Sequence, residues 1–248
     1  MSALVLHKGA VPVSRTELAN YHAPPSTDSW FPVKHADVLA KVGDTLVASG
    51  YRIVREQLGV GRDGHRFFGV LDLDSTLVPG VTLAVGVRNS TDKSFPLGFA
   101  AGNRVFVCDN LAFRAELLVK RKHSRYGEMR FANAIAGAVS QLRSFQDVET
   151  QRIRRMQQSN LSEAQASHLV LKALDQGIVS APVIPRIWKE ILNPSFDYGP
   201  ELSLWTVLQA FTTVLGERAK RSPNEYAGQT IRINALLSPP EIPVATAA

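Results

Sequence analysis

Between residues 35 and 50, in HADVLAKVGDTLVASG, apolar side chains return at Val38, Leu39, Val42, Leu46 and Val47. That spacing marks one face of a helix, and Gly50 supplies its stop. Beyond Gly50 the period shortens. The runs YRIVREQL, HRFFGVLDL, VTLAVGVRN, PLGFAA and RVFVCDN are rich in valine, phenylalanine and leucine. The breaks between them, GVGRDG, VPG, STDKS and GN, are turn chemistry, so the set predicts an antiparallel meander. In VTLAVGV the alternation is strict: Val81, Leu83, Val85 and Val87 share one face, and Thr82, Ala84 and Gly86 the other.

From Glu128 the helical period returns. Phe131, Ile135, Ala138, Val139, Leu142 and Phe145 form one apolar stripe, with Arg130, Asn133, Gln141 and Arg143 largely off it. SEAQ, Ser162 to Gln165, matches a capping box and opens another helix, which Gly177 closes. Pro185 suits the first turn of PRIWKEIL, and Leu202, Trp205, Leu208, Phe211 and Leu215 mark a further helix that RSP stops. Ahead of all this, APPSTDSWFP reads as part of an irregular arm with two aromatic anchors, Trp30 and Phe31. Helix, strands and helices are segregated, so the class is α+β: an antiparallel β-meander packed by a long helix, with a helical C-terminal part. The expected divisions are an N-terminal arm (1–34), an α+β core (35–158), a helical part (159–236) and a disordered tail (237–248).

Composition adds limits more than detail. Hydrophobic residues make up 45% of the 248 and charged residues 20%, the balance of a chain that folds around a core. No apolar run reaches membrane-spanning length, the N-terminus lacks the pattern of a secretory leader, and one cysteine cannot form an internal disulfide. A soluble, cytoplasmic protein without a membrane partner is the expectation. Net charge is +6, and its distribution is uneven. Residues 114–155 carry ten basic and four acidic groups, and the rest of the chain is balanced. The whole excess therefore sits in one stretch, which points to an anionic partner.

Individual motifs divide between chemistry and plain structure. GVGRDG has phosphate-loop glycines but lacks the following helix and the Lys-Ser/Thr pair, so a hairpin explains it. Asp72 and Asp74 alternate on one strand face, too few carboxylates to define a cation site, and no metal or cofactor is expected. In RNSTDKS the Asn, Ser and Asp side chains stabilise a turn, and Arg88 and Lys93 at its edges would equally suit phosphates. Cys108 and His123, with Asp109 or Asn110 as orienting group, are the residue types of a thiolate nucleophile and its base. Alternation instead puts Cys108 beside Phe106 as a packed thiol, and His123 then extends a cationic surface with its neighbouring lysines. AELLVKRKHSRYGEMR is the densest cationic segment, and its Tyr126 and Ser124 suit a nucleic-acid backbone, though charge runs are often only solvated faces.

The succession VRNSTDKS, GNRVFVCDN, KRKH and SLWTVLQAFTTVLGERAKRSP resembles the phage/plasmid-like proteins grouped as domain of unknown function 932. The positions that carry it are Asn89, Ser90, Asp92 and Ser94, then Cys108 and Asn110, Lys122 and His123, and the helix from Trp205. They span roughly residues 35–235. Lys93 departs from the pattern, standing where a glycine usually follows the aspartate, and Gln209-Ala210 stands where Asn-Ala is frequent. The resemblance implies a phage or plasmid setting, hence DNA metabolism or host defence. The element order also has a looser likeness to single-strand annealing proteins of the RecT and Redβ kind, at the level of topology alone.

Three functions follow as expectations. The leading one is a non-catalytic, oligomeric DNA-binding protein that binds or anneals single strands. Its candidate contacts are Arg88, Lys93, Arg114, Lys120, Arg121, Lys122, His123, Arg125, Tyr126, Arg130, Arg152, Arg154 and Arg155. The second is a cysteine enzyme using Cys108 and His123 with Asn110 or Asp109. The third is a structural or partner-binding protein whose helical half makes the interface.

Overall fold

The computed structural model describes residues 10–61, 63–105, 110–199, 201–219 and 223–238. Its strands are β1 (Val11–Pro12), β2 (Ile53–Val60), β3 (Arg66–Val78), β4 (Val81–Ser90), β5 (Leu97–Val105) and β6 (Asn110–Arg121). The helices are α1 (Arg15–Ala19), α2 (His35–Ala48), α3 (Gly127–Ser140), α4 (Leu142–Gln158), α5 (Glu163–Asp175), α6 (Ile184–Leu192), α7 (Leu204–Ala219) and α8 (Pro223–Leu236). All six strands form one antiparallel sheet in chain order, the α+β meander that the alternation predicts.

Register assigns the two faces. Leu71, Val85 and Ala101 lie abreast on one face, and Asp72, Ala84 and Gly102 on the other. Helices cover the first: His35 of α2 stacks on Phe67, and Asn103 donates to Glu149 of α4. Val81, Leu83, Val85 and Val87 are accordingly buried there, in one core with Phe131, Ile135 and Leu142. The second face has a floor of small residues, Ala84, Gly86, Gly98, Ala100 and Gly102. Their size leaves room for one long side chain: Arg104 reaches past Ala84 on β4 to place Nε 2.8 Å from Asp72 Oδ1, both groups fully buried. Arg104 also donates to Gln57 on β2 at 3.2 Å. The expected Asp72–Asp74 pair is thus divided, because Asp74 points to solvent and bonds Arg52.

Several boundaries differ from expectation. PLGFAA and RVFVC do not flank a turn: Gly102 and Asn103 lie inside the single strand β5. Gly102 serves the small-residue floor, and Asn103 spends its amide on Glu149, so neither bends the chain. The predicted long helix is two, α3 and α4, since Gln141 turns its N–H back to Ala138 and Val139. From residue 10 the arm is more ordered than irregular. Its α1 begins at a capping box of Ser14 and Glu17, and Arg15 pairs with Glu56 of β2. Pro223 opens α8, a helix that the stop signal RSP conceals. Residues 239–248, where a disordered tail is expected, lie outside the described residues.

Candidate nucleic-acid interface

Three chain segments meet at one end of the sheet. Pairing of Leu97 with Arg121 and of Gly98 with Lys120 brings the end of β6 beside the turn that joins β4 to β5. That turn is built by its own polar side chains. Ser90 Oγ both donates to the Phe95 carbonyl at 2.7 Å and accepts its N–H at 3.0 Å. Asp92 accepts the Ser94 N–H at 3.0 Å, and Arg66 Nε donates to Asp92 at 2.8 Å and to Ser94 at 3.0 Å. Burial alone would raise the Asp92 carboxyl, yet these bonds from Ser94 and Arg66 hold it below the usual range. Asn89 ties the turn to the arm, donating to the Val33 carbonyl at 2.7 Å and contacting His35 Nδ1 at 2.9 Å. With Asn89, Ser90, Asp92 and Ser94 so engaged, Lys93 is the exposed cation at the turn.

Beyond β6 the chain turns sharply into α3. Ser124 N–H donates to the Lys122 carbonyl at 2.9 Å, and Gly127 N–H to Ser124 at 2.7 Å. A Cβ on Gly127 would come within 2.5 Å of the Lys122 carbonyl oxygen, so the turn needs glycine there. This geometry leaves Lys120, Arg121, Lys122, Arg125 and Arg130 exposed, with Tyr126 57% exposed among them. None of these cations, nor Lys93, has an ion pair among the described residues. Arg88 is withdrawn: half-buried, it lies along Gly98 and over the Phe95 ring at 5.3 Å, and burial lowers its guanidinium pKa.

The arm packs against this end. Phe31 N–H donates to the His123 carbonyl at 3.0 Å, and the Trp30 and His123 rings meet edge to face, 6.4 Å apart. Lys93 Nζ stands 5.1 Å from the centre of the Trp30 ring, and Arg125 5.8 Å from that of Phe31. His123 therefore does not face solvent with its lysines. It is 6% exposed, neither ring nitrogen meets a hydrogen-bond partner among the described residues, and burial lowers its pKa, with the Phe31 backbone opposing.

The remaining candidates are dispersed. Arg152 on α4 is buried and gripped by Glu149 at 2.6 and 2.8 Å, so it is no phosphate contact in this fold. Its helix neighbours Arg154 and Arg155 are exposed and half-buried. Arg114 belongs to β6, and its side chain lies outside the described residues, as do Cys108 and Asp109. Asn110 pairs with Val105 where β6 begins, and His123 follows its opposite end. Asn110 lies opposite Val105 and Arg121 opposite Leu97, ends of β5 that stand roughly 26 Å apart, so Asn110 and His123 are not brought together. Sequence reasoning missed His35 and Glu149: the first reads as a helix start, and the second has its Asn103 partner 46 residues away.

A protein-family model described as Domain of unknown function (DUF932) matches residues 26–237. No curated protein and no solved structure matches the chain. Among the described residues, no helix is long and apolar enough to cross a membrane.

Proposed function

The chain belongs to the domain of unknown function 932 family, and we propose that it is a non-catalytic DNA-binding protein that holds single strands on the basic end of its sheet. One observation carries the reading: exposed Lys93 on the β4–β5 turn and exposed Lys120, Arg121, Lys122, Arg125 and Arg130 on the run from β6 into α3 share one end of the sheet without ionic partners among the described residues. Unpaired cations at that density suit a phosphate backbone, whose released counterions would drive association. The work is cytoplasmic, with copies side by side along a strand, and the likeness to annealing proteins rests on element order alone.

Fluorescence anisotropy with a labelled single strand tests this over a salt series. Affinity is expected to fall steeply with salt. Lys120→Glu combined with Lys122→Glu should weaken binding at least tenfold and flatten the slope by about 1.4, roughly 0.7 per lost phosphate contact. Lys172→Glu, exposed on α5, should leave both unchanged. Binding weaker than about 10 µM at low salt, or binding without a salt slope, would overturn the proposal.

A further inference from the structure

Lys93 is the one residue other than glycine at positive φ (66°) among the described residues. Left-handed backbone strains a lysine and not a glycine, and such strain survives where the surroundings enforce it. Here the bonds of Ser90, Asp92 and Ser94 enforce the turn, yet the Lys93 side chain takes no part in them. Its ammonium is exposed and rests over the Trp30 ring at 5.1 Å. Turn geometry would be better served by glycine, so the ammonium itself needs a use.

Trp30 is equally underused. The indole is half-buried, and its Nε1 donor has no hydrogen-bond partner among the described residues. It meets His123 by an edge, at 62° between ring planes. A polarisable ring face beside an exposed cation, on a surface of cations without ion pairs among the described residues, has the two parts that recognise one unpaired nucleotide.

We infer that Trp30 and Lys93 form a nucleotide-stacking site that selects single strands over duplex. The inference rests on the reading of this end of the sheet as a DNA-binding surface. The incoming base takes the ammonium's place over the indole, and the ammonium moves to that nucleotide's phosphate. A duplex keeps its bases stacked inside and offers only the phosphate. The next residue repeats the arrangement, Phe31 under Arg125 at 5.8 Å, in place for a second nucleotide.

The test compares full-length protein on oligothymidylate and on duplex DNA of equal length at one salt concentration. Trp30→Leu should weaken oligothymidylate binding about tenfold and duplex binding less than twofold, since base–aromatic stacking spans that range. Lys93→Gly should lose about threefold on the single strand while its melting temperature holds or rises. Oligothymidylate should quench indole fluorescence in the parent protein and less in Trp30→Leu. Should Trp30→Leu fail to fold, Trp30→Phe should fold and still lose single-strand affinity selectively. An equal loss on both DNAs would make Trp30 only an anchor for the arm and overturn the inference. If Trp30→Leu changes neither affinity while the Lys120→Glu, Lys122→Glu variant abolishes both, the inference falls and the basic surface stands. If the parent protein binds neither DNA, both fall.

Discussion

Glu149→Ala is expected to lower the free energy of unfolding by about 3–5 kcal/mol, read as a fall in the urea midpoint at unchanged slope. Glu149 is 1% exposed and its acceptors take Arg152 Nε at 2.8 Å, Arg152 Nη2 at 2.6 Å and Asn103 Nδ2 at 2.7 Å. The first two close a bidentate pair within one turn of α4, and the third ties that helix to β5. Removing the carboxylate strands a guanidinium that is 4% exposed, together with a buried amide. Desolvation of the remaining charge sets the cost, more than the attraction lost. Replacing both partners, as Glu149→Leu with Arg152→Leu, should recover much of it. Arg154→Ala, exposed on the same helix, should stay within about 0.5 kcal/mol of the parent. A loss under about 1 kcal/mol for Glu149→Ala would mean that water reaches the pair. Arg152→Ala should likewise cost stability and leave DNA affinity per folded molecule unchanged, which separates Arg152 from the exposed cations.

Most of the sheet is legible in the alternation, because residues that share a face must share a solvent. Val81, Leu83, Val85 and Val87 share the core face as read, although Thr82 and Ala84 opposite them are buried as well. The stripe from Phe131 to Phe145 and the capping box at Ser162 and Gln165 are equally legible. Legibility fails where a polar residue is explained by a distant partner. GN reads as a turn until Asn103 meets Glu149, and RNSTDKS shows its hydrogen-bonding capacity but not that Asn89 spends it on the arm. The concentration of charge in residues 114–155 is visible in sequence, whereas its sorting is not. Lys120 to Lys122 emerge at a strand end and reach solvent, Arg152 turns inward to Glu149, and His123 is enclosed by the arm's Trp30. Ser14 and Glu17 did carry a readable capping box, the signal that would have found α1.

Acid is expected to destabilise the protein well before its carboxylates titrate, through His35. The ring is 1% exposed, stacks on Phe67 at 5.6 Å and touches the Gly64 carbonyl through Nε2 at 3.1 Å. A carbonyl only accepts, so Nε2 carries the proton and Nδ1 accepts from Asn89 Nδ2 at 2.9 Å. A second proton would land on Nδ1, facing the Asn89 amide hydrogens. Burial is the main force that lowers the His35 pKa to about 4, with His65 and His123 adding to it and the Gly64 carbonyl and Asp92 opposing. Unfolded, the same ring titrates near 6.5. Between these values the unfolded chain binds a proton that the folded chain refuses, so stability is full above about pH 6.5 and falls as pH drops. The slope approaches about 1.4 kcal/mol per pH unit and totals about 3 kcal/mol by pH 4. His123, its pKa also lowered by burial, adds in the same direction. Asp92, held below the usual carboxylate range, loses its contribution only at still lower pH. Urea unfolding at pH 7.5, 6.5, 5.5 and 4.5 and fixed ionic strength checks this, with His35→Gln expected to be shallower by up to one proton. Equal slopes for the two proteins would place the folded His35 pKa near its unfolded value and remove the argument. Because Asn89 holds both His35 and the Val33 carbonyl, the step that charges His35 also loosens the arm from the turn that carries Lys93.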